Sequence, residues 1–201
     1  MRKRSKLMIF TTALALSLSL TACGESSYPS STLDGQDWNQ NWTILGHYFG
    51  VEEMDNGLTL LENPVILTGS DTHYATWSYG ESSTYINEDG DETDLYPAEV
   101  YMLAYGVEDG DPADTINEWM EREREVYAIE STKSLTSNAM DYQVMVYTVT
   151  SETNPYSTGA IAFASYQNYA VTIEVSCTGD YDGDAYELLS SFLESCHYGV
   201  D

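Results

Sequence analysis

The chain has 201 residues, of which 33 are Asp or Glu and only seven are Lys or Arg, giving a formal net charge of −26. A surface of this sign repels phosphate backbones, so we expect no nucleic-acid partner. Hydrophobic residues make up 42% of the chain and aromatic residues 12%. That apolar content indicates a folded domain rather than a disordered acidic tail.

The first 22 residues have the pattern of a cleavable signal peptide. A basic head is followed by an uncharged, largely apolar stretch over residues 7–22. This stretch is shorter than the roughly 20 predominantly apolar residues of a membrane-spanning helix. The basic head consists of Arg2, Lys3, Arg4 and Lys6. We therefore predict export from the cytoplasm and removal of residues 1–22.

The junction Leu20-Thr21-Ala22-Cys23 resembles the lipobox of bacterial lipoproteins. This resemblance implies that Cys23 receives a diacylglyceryl thioether and becomes the mature N-terminus. Two acyl chains hold a protein at a membrane stably, whereas a single chain does so only marginally. We predict a lipid-anchored protein on the extracytoplasmic face of the cell membrane.

The exported part of the chain is predicted to be a tether followed by one domain. Residues 23–37 are rich in Ser and read as a flexible tether, and residues 38–201 are enough for a single globular domain. From Cys23 onward only three basic residues remain against all 33 acids, a net charge of −30. This acidity favours high solubility; the alternative is a cation or a cationic partner.

The second half of the chain has the clearest pattern. Asp111 and Pro112 open a helix as N-cap and first helical residue, and Ile116, Trp119 and Met120 give it one apolar face. Residues 121–125 are expected to stay in water. A short strand is predicted over residues 126–129.

An antiparallel meander with one buried side should follow that helix. Its first strand alternates from Tyr142, its second covers residues 159–166 and its third residues 169–177. Asn168 is expected to take a positive φ in the tight connection between the last two strands. In the third strand Thr172, Glu174 and Ser176 share the face opposite the apolar side chains.

A C-terminal helix is predicted to cover this sheet, with Asp182 or Asp184 as its N-cap. The apolar residues that recur at helical spacing along a single stripe are Ala185, Leu188, Leu189, Phe192, Leu193 and Cys196. The first half is strand-like over residues 42–49, 58–61, 74–79 and 99–106. These elements predict an α+β fold, an antiparallel sheet covered by a mid-chain and a C-terminal helix.

The order of elements resembles the Mog1/PsbP type of α/β sandwich. Residues 42–46, 57–60 and 192–198 are also similar to a group of lipoproteins from gut Firmicutes. The resemblance implies the sandwich fold. It implies no function, because one fold supports many unrelated activities.

Cys177 and Cys196 are the thiols that remain once Cys23 is lipidated, and the sequence leaves two alternatives for them. Two remaining cysteines are an even number, and in an exported protein this favours a disulfide between them. Against this, a helix running back over its own strand would leave Cys196 about 18 Å along the helix from Cys177. A disulfide needs Cα atoms within about 7 Å, and each thiol sits on an apolar face where a free Cys packs well.

Asp180, Asp182 and Asp184 lie in an acidic run that superficially resembles a calcium loop. The run departs from the EF-hand pattern, because Ala185 and Ser191 stand where the turn glycine and the bidentate Glu belong. The alternative interpretation, which we favour, is that Asp-Gly pairs make turns and Asp caps helices. We therefore expect no cofactor, with Ca²⁺ as the alternative.

Aromatic residues supply a candidate ligand surface. Trp38, Trp42 and Trp77 could present flat rings to a sugar or peptide, although such residues more often fill the faces of a sheet. His47, His73 and His197 have no metal-ligand spacing and read as surface or packing residues. No nucleophile elbow or phosphate-binding loop occurs in the sequence.

Three functional hypotheses follow. The favoured one is a non-enzymatic, membrane-tethered domain that binds a ligand or partner at the cell envelope. The second is an envelope hydrolase whose site is dispersed in sequence, and the third is a cation-responsive structural module.

Overall fold

The structure is a computed structural model that describes residues 42–45, 49–52, 54, 56–61, 65–66, 71–87, 90–151 and 153–198, without the side chains of 42–45 and 65–66. The lipidation residue Cys23, the tether 23–37 and Trp38 lie outside the described residues, as does the side chain of Trp42. The predicted signal peptide, tether and anchor therefore stay predictions.

Strands dominate the described part of the chain. In order, the elements are β1 (Trp42–Leu45), β2 (Phe49–Glu52), β3 (Leu58–Leu60), β4 (Val65–Ile66), β5 (Thr72–Tyr79), β6 (Ser83–Ile86), β7 (Glu92–Leu95), β8 (Ala98–Gly106), α1 (Pro112–Val126), β9 (Ala128–Ser137), β10 (Met140–Thr148), β11 (Thr158–Tyr166), β12 (Tyr169–Cys177), α2 (Ala185–Glu194) and β13 (Cys196–Tyr198).

The main sheet is antiparallel and has the strand order β3-β5-β8-β12-β11-β10-β9, with β4 also paired to β5. The predicted meander forms its second half, because β10, β11 and β12 are neighbours in chain order. β8 pairs with β12 and joins this meander to the strands of the first half. A small sheet of order β1-β2-β13 and the hairpin β6–β7 lie apart from it.

Helix α2 covers one face of the main sheet. Its apolar stripe of Leu189, Phe192 and Leu193 is fully buried. These side chains belong to the same core as the α2-facing side chains of β12, among them Ile173 and Val175. β13 then pairs with β2, which places the small sheet in contact with the same core. Among the described residues this is the larger of two hydrophobic clusters.

Helix α1 covers the opposite face. Ile116 and Met120 pack against Met145, Ile161 and Phe163, which alternate with the residues that face α2. The predicted α+β fold with two covering helices is confirmed. The expectation of a single buried side was wrong, because the central strand β11 is buried on both faces.

Both helices begin as their sequences predict. The Asp111 carboxylate accepts a hydrogen bond from Ala113 N at 2.9 Å, and Pro112 is the first helical residue. The Asp184 carboxylate accepts from the backbone N–H groups of Tyr186 and Glu187. Of the helices within the described ranges, none combines the length and apolar character needed to cross a bilayer.

Several predicted boundaries were wrong. The single strand predicted over 42–49 is replaced by two antiparallel strands, because β1 ends at Leu45 and β2 begins at Phe49, and these two residues pair. The short strand predicted over 126–129 is β9, ten residues long, and it starts only after α1 has ended at Val126. Its alternation is concealed in sequence because Ser, Thr and Lys occupy most of its positions.

Two local predictions also need correction. Cys196 does not belong to α2, which ends at Glu194; it is the first residue of β13 and is still buried. In the connection from β11 to β12 it is Gln167, rather than Asn168, that takes the positive φ, 52°. A side chain other than Gly or Asn can occupy that region at a modest energetic cost.

Candidate functional site

The α1 side of β5, β8 and β12 is only partly covered, and we call it the tyrosine face. Strand pairing sets its side chains in three rows of neighbours: Tyr74, Leu103 and Thr172; Thr76, Tyr101 and Glu174; Ser78, Glu99 and Ser176. The first two rows are half-buried, and the third is buried. Tyr105 lies beyond the first row and is the most exposed, at 39%.

Aromatic rings give this face its shape. The rings of Tyr74 and Tyr101 lie 5.7 Å apart between centroids and are tilted by 36°. Tyr105 meets Trp119 of α1 edge-to-face at 5.9 Å, so the helix forms one border of the face. Half-buried tyrosines offer a flat apolar surface and a hydroxyl, which suits a ligand with both apolar and polar groups.

Glu174 brings a carboxyl group to the middle row. The Tyr147 hydroxyl donates a hydrogen bond to Glu174 Oε1 at 2.7 Å and lies 3.3 Å from Ser176 Oγ. Burial raises the pKa of Glu174 to about 7, opposed by the hydrogen bond from Tyr147 and assisted by the charge of Glu123. The carboxyl therefore exchanges a proton near neutral pH, as a general acid or a pH sensor would.

Gly159 makes room for this arrangement. A Cβ at Gly159 would overlap the Tyr147 hydroxyl and lie 2.6 Å from the Val175 carbonyl oxygen. Gly159 pairs directly with Tyr147 in the sheet, so the ring passes over a position without a side chain. The absence of a side chain at Gly159 therefore lets Tyr147 reach Glu174.

A second carboxyl group closes the far end of the face. Glu99 is buried, and desolvation raises its pKa while a hydrogen bond with Tyr156 lowers it. Tyr156 lies in the connection from β10 to β11, and burial beside Glu99 raises the pKa of its hydroxyl. The hairpin β6–β7 supports this connection, because the Tyr85 hydroxyl donates to the Thr153 carbonyl at 2.9 Å.

The end of α1 contributes a third acid. Glu123 was expected to stay in water but is buried, with only 6% exposed, and its charge contributes to the raised pKa of Glu174. Tyr127, just after the helix, stacks on Tyr147 at 4.0 Å and also hydrogen-bonds Glu174. The helix thus ends on the same group of side chains that surrounds Glu174.

The cysteines are free thiols in the structure, and both are buried. Burial raises the pKa of Cys177 to about 12 and also raises the pKa of Cys196. Protonated thiols are poor nucleophiles and poor metal ligands, so their surroundings suit packing.

The acidic run before α2 contains a helix cap. Asp184 is the N-cap, and its Oδ1 accepts two backbone hydrogen bonds. Across the described ranges, no group of three or more His, Cys, Asp or Glu side chains is placed to hold a metal ion. Calcium binding by Asp180, Asp182 and Asp184 stays a prediction.

Trp77 belongs to the core. It is 4% exposed and packs edge-to-face on Phe192 of α2 at 4.8 Å, so it does not form part of an aromatic ligand surface. Of the other proposed surface residues, Trp38 and the side chain of Trp42 lie outside the described residues.

A histidine is held by hydrogen bonds at the opposite end of the sheet. His73 is buried and its Nε2 lies 2.9 Å from Asp71 Oδ1, and the Tyr169 hydroxyl donates to the other oxygen of Asp71. Gly106 N donates to the Asp71 carbonyl at 2.7 Å. These contacts fasten β5 to β8 and β12, which agrees with a packing role for His73.

Sequence reasoning missed most of the tyrosine face. The alternation of Thr172, Glu174 and Ser176 placed a carboxyl group on one side of a strand, but nothing in the pattern set it beside Tyr101 or Tyr147. Tyr101 becomes a neighbour of Glu174 through the pairing of β8 with β12, whereas Tyr147 of β10 reaches Glu174 across Gly159 of β11. The pairing of half-buried Glu174 with Tyr101 is therefore a consequence of strand order that the local sequence does not indicate.

Comparison with known proteins finds structural similarity but no match in sequence. No family model matches the sequence, and no curated protein matches it. The chain is similar to the solution structure of cyanobacterial PsbP (CyanoP) from Synechocystis sp. PCC 6803, with 10% identity, a TM-score of 0.44 and coverage of 75% of this chain and 86% of that chain. It is also similar to the crystal structure of LpqN, involved in cell envelope biogenesis of Mycobacterium tuberculosis, with 11% identity, a TM-score of 0.46 and coverage of 76% and 83%.

A PsbP protein is thus among the solved structures that this chain is similar to. At TM-scores below 0.5 neither similarity carries a function to this chain. The assignment to the α+β class rests on its own sheet and helices.

Proposed function

We propose that this protein is a lipid-anchored, non-enzymatic domain of the cell envelope that recognises a ligand or partner with its tyrosine face. The observation that carries the location is the Leu20-Thr21-Ala22-Cys23 junction behind a basic head and an apolar stretch. A diacylated Cys23 would anchor the domain outside the cytoplasm, and residues 23–37 would serve as its tether.

The recognition role is supported by the unequal cover of the two sheet faces. The α2 face is closed by a helix and a small sheet, whereas half-buried Tyr74 and Tyr101 and the exposed Tyr105 remain beside α1. Exposed aromatic groups on an otherwise acidic surface favour contact with a molecule that has apolar faces. Both cysteines are buried and carry raised pKa values, which argues against a cysteine nucleophile.

The anchor is tested in cells that process bacterial lipoproteins. The wild-type chain should fractionate with membranes, and mass spectrometry should find a lipid-modified Cys23 at its N-terminus. Cys23→Ser should release the domain into the soluble extracytoplasmic fraction, while Cys177→Ser serves as the matched control and leaves fractionation unchanged. An intact Met1 on the wild-type protein, or an unmodified thiol at its start, would refute the anchor.

The recognition face is tested by co-sedimentation of soluble protein, residues 24–201, with isolated envelopes. A double change of Tyr74→Ala and Tyr101→Ala should reduce the bound fraction at least about tenfold, since stacked aromatic contacts contribute on the order of 1 kcal/mol each. Tyr186→Ala is the control, because Tyr186 is a half-buried tyrosine on α2, across the sheet. Equal binding by both variants would eliminate the tyrosine face as the recognition surface.

An envelope hydrolase is the second candidate, and Glu174 favours it. A carboxyl group with a pKa near 7 can act as a general acid, and Glu99 on the same face could be its partner carboxylate. If this candidate is right, the purified domain should release reducing ends from isolated envelope polysaccharide, and Glu174→Gln should abolish the release. No release by the wild-type domain would remove this candidate.

A further inference from the structure

Strand β9 forms a long, open edge of the main sheet. Within the part of the chain that the structure describes, β9 pairs with β10 alone and is the last strand in the sheet order. None of its ten residues is buried, and six of them are exposed. A strand at the edge of a sheet presents a row of backbone N–H and C=O groups to which another strand can add.

The opposite edge of the sheet is protected in a way that the β9 edge is not. It is formed by β3 and β4, which are only three and two residues long, and very short strands are one means by which proteins prevent pairing at an edge. A bulge and a lysine are two other means, and β9 has both. The bulge is confined to Glu130, and pairing with β10 is regular over residues 131–137. The Lys133 ammonium lies 3.8 Å above the ring of Tyr186 on α2, so its charge is drawn over the α2 face.

The charge of this edge differs from that of the whole molecule. The chain has a formal net charge of −26, whereas residues 131–137 contain no acid, and five of these seven residues are Ser or Thr. A large net charge of one sign keeps copies of a protein apart. A segment without acids lets two copies approach at a lower cost, while a basic partner would be attracted to the acidic remainder of the surface. The β9 edge therefore suits a second copy of this chain.

We propose that two copies of this chain pair through β9, antiparallel and with Ser134 on the twofold axis. This register brings all seven residues of the regular segment 131–137 into the pairing. The contact is isologous, because the same strand is used by both copies, and it closes after two.

The side chains of this register are self-complementary. Thr132 lies opposite Thr136 of the partner subunit, and cross-strand Thr pairs stabilise antiparallel strands. Lys133 lies opposite Leu135 of the partner subunit, so that no two like charges are directly opposed within the regular segment. Each of these pairs shares one side of the sheet, as Thr132 and Lys133 already do with Met145 and Val144 of β10.

The pairing has a consequence for the tyrosine face. The twofold axis that relates two antiparallel edge strands is perpendicular to the sheet, so both α1 helices and both tyrosine faces lie on the same side of the joined sheet. Two such faces can bind one envelope surface together and gain affinity from effective concentration. This consequence rests on the proposed function, whereas the pairing itself needs no ligand.

The contact is small, so we expect weak pairing in dilute solution. Seven pairs of residues at a strand edge bury less area than a standard interface between proteins. Repulsion between two acidic copies also opposes the contact, and salt screens that repulsion. Copies anchored to one membrane meet at a higher effective concentration, which favours the pair.

Cysteine cross-linking tests the pairing and its register, with the full-length chain expressed in cells that process bacterial lipoproteins. Ser134→Cys should give a disulfide-linked dimer on mild oxidation, because the two thiols meet at the axis, within the Cα separation of about 7 Å that a disulfide allows. Thr132→Cys alone should not, since the two copies of residue 132 are four residues apart, about 13 Å along the strand. Thr132→Cys co-expressed with Thr136→Cys should be linked again.

Ser82→Cys is the matched control, because Ser82 is an exposed serine in the connection from β5 to β6. Ser134→Cys should give at least about tenfold more dimer than this control, since paired thiols react at a far higher effective concentration than colliding ones. The wild-type chain, in which Cys177 and Cys196 are buried, gives the background. Adding salt to isolated membranes should increase the dimer of Ser134→Cys and leave Ser82→Cys unchanged.

Three results would overturn the pairing. One is a dimer of Ser134→Cys no stronger than that of Ser82→Cys, and another is self-linking of Thr132→Cys to the same extent as Ser134→Cys. The third is linkage of Ser134→Cys to a different protein and not to itself, which would assign the edge to another partner. Cross-linking without any envelope binding would remove only the proposed recognition role, and binding without cross-linking would remove only this inference.

Discussion

The two faces of the main sheet are built from the same strands and have opposite chemistry. On the α2 face most sheet positions are buried Val, Ile, Ala or Met, together with Trp77 and Tyr142, and the helix above adds Leu189, Phe192 and Leu193. On the α1 face only β10 and β11 are apolar; β8 and β12 carry Glu99, Tyr101 and Glu174. One face therefore provides stability, while the other keeps polar groups at an energetic cost.

Truncation on the α2 face should have the largest effect. Phe192 is fully buried against Trp77, so Phe192→Ala should lower the free energy of unfolding by about 3–5 kcal/mol, from lost burial and a cavity that cannot collapse. Urea unfolding followed by circular dichroism measures it. A loss below about 1 kcal/mol would mean that the α2 face is not the main source of stability.

Ionisation of Glu174 should have the next largest effect on stability, and the direction of its pH dependence is specific. Its native pKa of about 7 lies above the reference of 4.5, so the folded state binds the proton more tightly than the unfolded state. Stability should fall as pH rises from about 4.5 to 7, by about 3 kcal/mol from this group, and then stay level.

The measurement is urea unfolding at pH 5 and pH 8 for the wild-type chain and Glu174→Gln. The difference between the two profiles isolates this group from the other acids, which both chains share. Glu174→Gln should have the flatter profile and the higher relative stability at pH 8. Parallel profiles would show that Glu174 is solvated like a surface acid.

The same substitution at the N-cap of each helix allows the two faces to be compared, because both N-caps are Asp. Asp111→Ala and Asp184→Ala each remove a carboxylate that accepts backbone hydrogen bonds, at about 1 kcal/mol. Because α2 provides fully buried core residues, Asp184→Ala should lower global stability by that amount. Asp111→Ala should mainly increase hydrogen exchange within α1, and equal global losses would make the two helices equivalent.

The smallest effect is expected on the tyrosine face itself. Tyr105→Thr keeps β propensity and removes a ring that is 39% exposed and touches Trp119, so about 0.5–1 kcal/mol should be lost. Chemical unfolding at fixed pH measures this loss. A change above about 2 kcal/mol would show that Tyr105 is a core residue rather than part of a recognition surface.

The α2 face could be predicted from the sequence more fully than the α1 face. The α2 stripe and the strand over residues 169–177 are strongly periodic, and the structure has that strand with the same limits. Asp111 and Asp184 were readable as caps because capping is local. Glu123 was misread as exposed because its burial depends on which side of α1 meets the sheet, and that is a property of packing.

The site was less predictable than the fold for the same reason. Tyr101 and Glu174 become neighbours only through the pairing of β8 with β12. Tyr147 can reach Glu174 only because Gly159 lacks a side chain. Trp77, a residue type common in ligand surfaces, was drawn into the core by its position opposite α2.

Oxidative footprinting of tyrosines, with and without isolated envelopes, tests the central claim most directly. Hydroxyl radicals modify exposed rings, and mass spectrometry locates each modification. The account predicts that envelopes protect Tyr74, Tyr101 and Tyr105 and leave Tyr186, on the far side of the sheet, unchanged. Protection of Tyr186 with no change at Tyr101 and Tyr105 would contradict it, and the α1 face would then have no part in recognition.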